Sequence, residues 1–384
     1  MLIHKVKSGE CPFSISRKYG IPPTKLIADN GISGDRLIEG EELVIIIPTR
    51  TVTVRGSDTL EALSARFGVR RSAIVANNPS LAGKSSLTPG QVLAIKQAAP
   101  IAAASAVGYL RDGITREKLT RSLPYLTYYL VCAATYRDGE LKPQYDPRRE
   151  LDVLIREGKL ALLYVNDESN AGYLQSSEES QRLISDMIAA AKSQGYSGIC
   201  FGTAAASDER FCSFVIEARK SFIGSDLLFF TEVRADGAEA AELSDGAVLC
   251  TDSLSAFDEV ALLSDFAENA ESSKIFVKLR TGAMLGDAAI CLSEARRLCI
   301  RSGGTVFRIS DTELGFTYTR YRRGKGEELS VRFPSYEYTK AKLECLSELG
   351  FMGIAVEVGD TPAAIYSMFN ALFARADHSG FAPI

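Results

Sequence analysis

The stretch GYSGICFGTAAAS, residues 195–207, decides how this chain is read. It follows an amphipathic helical pattern, SQRLISDMIAAAKSQG (180–195), and turns at a glycine. It then runs through a short segment that is apolar on both faces, Gly198–Phe201. A strand without alternation belongs in a buried parallel sheet. Small residues follow, and no acid occurs until Asp208.

Seven further runs of the same kind lie on either side: Val107–Leu110, Leu126–Ala133, Leu160–Val165, Leu227–Val233, Ala247–Cys250, Lys274–Leu279 and Gly353–Val358. Helical patterns such as DAAICLSEARRLCIRSG (287–303) separate several of them. Eight buried strands with helical connections over roughly 280 residues predict an α/β fold, a (β/α)8 TIM barrel. A doubly wound open sheet is the alternative. The segment 303–334, rich in alternating aromatics and threonine, predicts a small α+β insertion before strand eight.

Composition narrows the function. The chain has 384 residues, 44 basic and 48 acidic, for a net charge of −4. A nucleic-acid partner would want a basic domain, so none is expected. The N-terminal MLIHKVKSGE has no apolar core of a secretory leader, which predicts synthesis in the cytoplasm; no run is long enough for a membrane span. The eight cysteines form no C-x-x-C, and only His4 and His378 are present. A disulfide framework, a metal centre and a histidine-dependent triad are therefore not expected, nor is a cofactor.

The first hundred residues repeat. HKVKSGECPFSISRKYGI (4–21) aligns with VTVRGSDTLEALSARFGV (52–69), and LIEGEELVI (37–45) with LTPGQVLAI (87–95); the second copy has two extra residues near SLAGKSS. Each copy predicts a strand (Lys5–Lys7; Thr51–Arg55) and a first helix. The apolar positions of that helix are Phe13, Ile15 and Tyr19, or Leu60, Leu63 and Phe67. Gly20 and Gly68 stand at its C-cap. A second helix (Pro23–Asn30; Arg71–Asn78) and a closing strand (Glu42–Ile47; Val92–Lys96) complete β-α-α-β. The domain plan is 1–48, 49–97, an Ala/Pro-rich linker at 98–105 and a barrel at 106–384.

These two repeats resemble the LysM module. The resemblance implies binding of peptidoglycan or a chitin-like N-acetylglucosamine glycan. Its groove lies between the first turn and the loop after the second helix. Carried over, the groove is Gly9, Glu10, Cys11, Pro12, Asn30, Gly31 and Ile32 in copy one. In copy two it is Ser57, Asp58, Thr59, Leu60, Asn78, Pro79 and Ser80. The family's Gly-Asp-Thr turn becomes Gly-Glu-Cys and Ser-Asp-Thr. Helix capping is the competing role for the turn residues.

From VGYL (107–110), YLTYYLVCAATYRDGEL (125–141), ALLYVND (161–167), GYSGICFG (195–202) and VRFPSYEYTKAKLECLSELGFMGIAVEVG (331–359), the barrel resembles the family 18 glycoside hydrolases, in their LysM-bearing spore-coat and cortex-lytic branch. Active members carry D-G-x-D-x-D-x-E on strand four. Alternate side chains of a strand share a face, so its last three acids aim at the barrel mouth. The Glu protonates the leaving oxygen, and the Asp before it steadies the substrate's acetamido group. Here the four acids fall on Ser197, Cys200, Gly202 and Ala204. Loss of a general acid alone costs ~100- to 10,000-fold in rate. The family's Tyr after strand six falls on Asp252, its strand-eight Trp on Glu357 and another Trp on Arg332.

Two functions compete. One is a glycan-binding protein with an inactive barrel in the spore coat or cortex, with other coat proteins as further partners. The other is a hydrolase with relocated carboxylates, for which Glu232, Asp252 and Glu357 stand near the ends of strands five, six and eight. Solvated loop charges or helix caps are the plainer roles for these three. Barrel packing is the plainer role for Tyr109, Tyr128 and Tyr164.

Overall fold

A computed structural model describes residues 1–33, 36–169, 172–202, 209–251, 256–322 and 325–375. Eight parallel strands close into a barrel: Ala102–Leu110, Tyr128–Arg137, Leu160–Asp167, Gly198–Gly202, Leu228–Val233, Gly246–Leu249, Ile275–Lys278 and Gly353–Glu357. Strand one pairs with both strand two and strand eight, which removes the open edge. The doubly wound alternative is thereby excluded. All eight predicted strands are present. The run 195–202 is the left-handed Gly195 cap of the helix Ser177–Gln194, a two-residue link and strand four.

The barrel has two cores, as strand alternation requires. One set of side chains fills the interior: Val107, Tyr109, Tyr128, Leu130, Leu162, Tyr164, Cys200, Leu228, Phe230, Val248, Phe276 and Ala355. The alternate set, including Ile199, Phe201 and Phe229, packs on the surrounding helices. Tyr109, Tyr128 and Tyr164 are all buried in the interior set.

Two regions differ from the sequence expectation. The insertion begins earlier than residue 303. Its five-stranded antiparallel sheet takes in Ala283–Leu285 and Ala288–Ile290 as well as Phe307–Arg308, Glu313–Arg322 and Lys325–Pro334. The helix Leu292–Ser302 packs on that sheet through Ala295 and Cys299, so it is not a barrel helix. The apolar period of 287–303 is real, but periodicity does not name the surface a helix covers. The supposed linker also differs: Ala102–Ser105 form the first half of strand one, paired with Phe373–Arg375 and with strand eight. Alanine-rich sequence reads as a spacer until it is enclosed on both sides.

Each repeat folds as an antiparallel strand pair with two helices. The strands are Leu2–Lys5 with Glu42–Ile45, and Arg50–Thr53 with Val92–Lys96. The helices are Pro12–Tyr19 and Pro23–Asn30, then Leu60–Phe67 and Arg71–Asn77. Gly20 and Gly68 hold the left-handed C-cap. The first strand of each repeat starts earlier than predicted. Phe13 is 59% exposed, on the outer face of its helix, where copy two has Glu61.

Candidate functional site

The mouth of the barrel is where a glycosidase of this fold would act. Alternation sends Cys200 and Gly202 of strand four inward. Cys200 is wholly buried, and burial pushes its thiol well above the usual range. Gly202 meets the Tyr164 ring: a Cβ added there would stand 2.2 Å from the Tyr164 hydroxyl oxygen. Tyr164, on strand three, therefore occupies the volume an aspartate side chain at 202 would need. Ser197 precedes the strand, its amide donating to Ala161 O at 2.7 Å. Ala204 and Asp252 lie outside the described residues.

The other two acids are held differently. Glu232 stands opposite Gly202 in the ladder and accepts a hydrogen bond from the Tyr109 hydroxyl. Tyr109 in turn lies edge-on to Tyr164, with ring centroids 5.5 Å apart. Burial, reinforced by the Glu232 charge, raises the Tyr109 phenol well above its usual value, so it is a donor at every physiological pH. Glu357 accepts a bidentate pair from Arg111 at 2.8 and 2.9 Å, with Lys278 Nζ 3.9 Å away. Lys278 also lies 4.4 Å from the Tyr109 ring centroid. Both Glu357 oxygens are taken up by Arg111, so neither can meet a glycosidic oxygen without breaking that contact, and Glu357 is poorly placed as a general acid. Burial pushes the nearby Cys132 thiol up to about 12, where it is no nucleophile at neutral pH. The mouth thus offers one carboxylate with a phenol donor and one neutralised carboxylate.

The turns and loops of the two modules are built alike. Asn30 donates to Leu26 O and Val44 O, both at 2.9 Å, and accepts from Val44 N at 2.7 Å. Asn78 repeats this with Ile74 O, Ala94 O and Ala94 N. Both asparagines tie the second helix to the closing strand. Glu10 accepts from Lys7 N and from His4 Nε2, each at 2.8 Å; Asp58 accepts from Arg55 N at 2.8 Å. Thr59 caps its helix by accepting from Ala62 N at 3.1 Å, while Cys11 caps with sulfur. Ser57, Thr59, Gly9 and Gly31 are exposed; Pro12 and Leu60 are buried; Ile32 packs in the first module's core, and Pro79 and Ser80 are half-buried.

The first module is clamped to the barrel and its insertion, which the sequence reading missed. Val306 N donates to Glu39 O at 2.8 Å, and Gly40 comes so close that a Cβ would lie 1.8 Å from Val306 O. Gly40 therefore admits no other residue, both for this contact and for its φ of +85°. Glu41 pairs with Arg296 at 3.1 Å. Glu42 accepts from Tyr336 N at 2.6 Å, Glu337 N at 3.2 Å and Ser335 Oγ at 3.1 Å. A side chain of the first module thus caps the barrel helix Tyr336–Glu348. Burial raises the Glu42 carboxyl, opposed by these donors. Lys25 and Asp29 form a buried pair at 2.8 Å, flanked by Asn77 O of the second module and by Ser367 of the barrel helix Ala363–Leu372. The repeat itself held the signal: copy two has Ala73, Asn77, Gln91 and Val92 where copy one has Lys25, Asp29, Glu41 and Glu42.

Two β-α-α-β modules and a closed eight-stranded parallel barrel thus make up the chain. Comparisons with known proteins give the particulars. Residues 4–45 and 52–96 match the model of the LysM domain. The spore cortex-lytic enzyme SleL of Bacillus megaterium superposes with a TM-score of 0.74 at 20% identity, covering 97% of this chain and 98% of that one. The Bacillus cereus SleL gives 0.73 at 19%, over 98% and 99%. A chitinase from Chromobacterium violaceum gives 0.61 at 15%, over 71% of this chain and 100% of the other. These likenesses carry the fold. A Bacillus subtilis protein named for a sporulation-specific glycosylase, YdhD, is 22% identical over 233 residues, which is 57% of this chain. The match spans 55%, about half, of that relative's length. No helix among the described residues is long and apolar enough to cross a membrane.

Proposed function

We propose that this chain is a glycan-binding protein of the bacterial spore envelope, in the coat or cortex, whose barrel does not hydrolyse its ligand. Peptidoglycan or a related N-acetylglucosamine polymer is the ligand, held by the LysM modules, with the second as the freer of the two. The spore association rests on the spore cortex-lytic and sporulation-named relatives. The observation that carries the loss of hydrolysis is the inward face of strand four. A thiol at Cys200 and a bare backbone at Gly202 stand where the fold's hydrolases keep acids, and the Tyr164 phenol occupies the room beside Gly202.

Hydrolysis by a relocated acid is the second reading, and Glu232 is the observation in its favour. Its carboxylate reaches the mouth directly across from Gly202 and meets the Tyr109 hydroxyl.

The test incubates the full chain with cortex peptidoglycan and with chitin oligomers, then measures sedimentation with the polymer and the release of new reducing ends. Co-sedimentation without turnover is expected. Sustained release of reducing ends, abolished by Glu232→Gln, would overturn the non-hydrolytic reading. A chain that stays in the supernatant with every polymer would overturn the glycan reading.

A further inference from the structure

The first module, the insertion and the start of the helix Ala363–Leu372 line a partly open cavity of about 210 Å3. Its walls are mainly apolar, with Leu43 from the module, Leu292, Phe316 and Phe333 from the insertion, and Pro362 from the barrel. This cavity is separate from the strand-four mouth.

The geometry points to a binding site for a small apolar carboxylate, a short-chain fatty acid or a single-ring aromatic acid, with its body in the cavity and its charge at the rim. Three observations carry it. The first is size. An apolar cavity of about 150 Å3 stays dry and takes up a benzene-sized guest, whereas drug-sized pockets begin near 300 Å3. The volume here lies between, which suits one ring or a run of several methylenes.

The second is a buried phenol in the wall. Tyr366 lines the cavity, is 3% exposed, and its hydroxyl makes no hydrogen bond of normal geometry. Its neighbour is the Thr361 hydroxyl, which donates to Glu357 O at 2.6 Å and keeps its oxygen as a neutral acceptor; a guest carboxylate is the stronger acceptor for the Tyr366 proton. Buried hydroxyls without a partner are uncommon and costly.

The third is charge. Of the acids in the lining, Glu41 is paired with Arg296, and Glu42 is held by amide donors. That leaves Asp360. Of the cations, Arg121 is paired with Glu117, but Lys118 and Arg297 make no ion pair among the described residues and are exposed at the rim. A guest with an acid head gains two cations there; a guest with an amine meets them unfavourably.

Calorimetric titration of the full chain with octanoate, 1-octanol and octylamine tests this. Octanoate should bind, and octylamine should not. The double variant Lys118→Ala, Arg297→Ala removes charge-assisted contacts and should weaken octanoate roughly tenfold or more. Both positions are exposed, so the variant keeps its fold. Leu292→Trp fills the cavity and should abolish binding of acid and alcohol alike. The proposal is overturned by silence with octanoate below its micelle onset. It is equally overturned by octylamine binding as tightly as octanoate, or by an octanoate affinity unchanged in the rim variant.

Discussion

The two LysM modules share one fold but not one role. In the first, the second helix and the closing strand carry Lys25, Asp29, Glu41 and Glu42, and all four contact the second module, the insertion or the barrel. In the second, the same positions are Ala73, Asn77, Gln91 and Val92. The shared residues do the same work in both: Asn30 and Asn78 tie helix to strand, and Gly20 and Gly68 end the first helix. Positions that agree between repeats therefore build the module, and positions that disagree tell what each copy touches. One module is a brace with part of its groove loop turned toward a cavity. The other carries only neutral residues at those positions and keeps Ser57 and Thr59 open to solvent.

The largest effect should come from splitting the buried pair. Lys25→Ala writes the second module's residue into the first and leaves the buried Asp29 carboxylate without its cation; a loss of about 3–5 kcal/mol is expected at pH 7.5. Adding Asp29→Asn completes the exchange, and the double variant should lie within about 1 kcal/mol of the parent, because a buried ion pair contributes little net stability. Urea unfolding measures both. A single variant as stable as the parent would mean that the pair is solvated and the brace loose.

The same pair predicts a pH dependence. Burial raises the Asp29 carboxyl to about 6, with Lys25 opposing the shift. A carboxyl raised on folding binds its proton more tightly in the folded state. Its contribution is full below about pH 4, near its unfolded value, and is lost as pH rises through about 6. The parent should therefore gain on the double variant between pH 7.5 and 4.5. The two chains differ only at residues 25 and 29, so the difference between their pH curves reports on this pair. Parallel curves would dismiss the site.

Glu42→Ala comes next. It removes the acceptor for two amide N–H groups at the start of the helix Tyr336–Glu348 and for the Ser335 hydroxyl, all within a buried contact. Loss of a cap costs about 1 kcal/mol, and leaving buried donors without a partner adds about 1–3 kcal/mol. The sum expected is about 2–4 kcal/mol. The matching Val92→Ala in the second module trims two methyl groups from a half-buried strand end and should cost about 1 kcal/mol or less. Equal losses at the two positions would mean that the modules are held alike.

How far the sequence carried these conclusions depends on the range of the interactions. Barrel and modules were legible because burial sets a local period: the interior set of Tyr128, Leu130, Leu162, Tyr164 and Cys200 follows from alternation within each strand. That Gly202 lacks an acid was legible too. That Tyr164 fills its place was not, since the reach of a side chain across two strands depends on barrel register. The helix Leu292–Ser302 showed its apolar face but not its partner. The brace was half legible: charged residues in one repeat and neutral ones in the other mark a difference, but only coordinates say that Glu42 ends on Tyr336 and Glu337.

The smallest expected effect lies at the first helix caps. Thr59 accepts from Ala62 N through a hydroxyl, whereas Cys11 offers sulfur, a weak acceptor, at the equivalent place. Cys11→Thr gives the first module the second module's cap. The Cys11 backbone is already extended, at φ −134° and ψ 166°, close to the −120° and 163° of Thr59, so threonine enters without strain. Replacing a poor cap by a good one should add about 0.5–1 kcal/mol, read as a shift in the urea midpoint. The glycan readout should stay almost flat if the first module is chiefly a brace. If sedimentation with peptidoglycan rises severalfold while stability barely moves, the first module's groove is in use, and the two modules are more alike than their contacts with the barrel suggest.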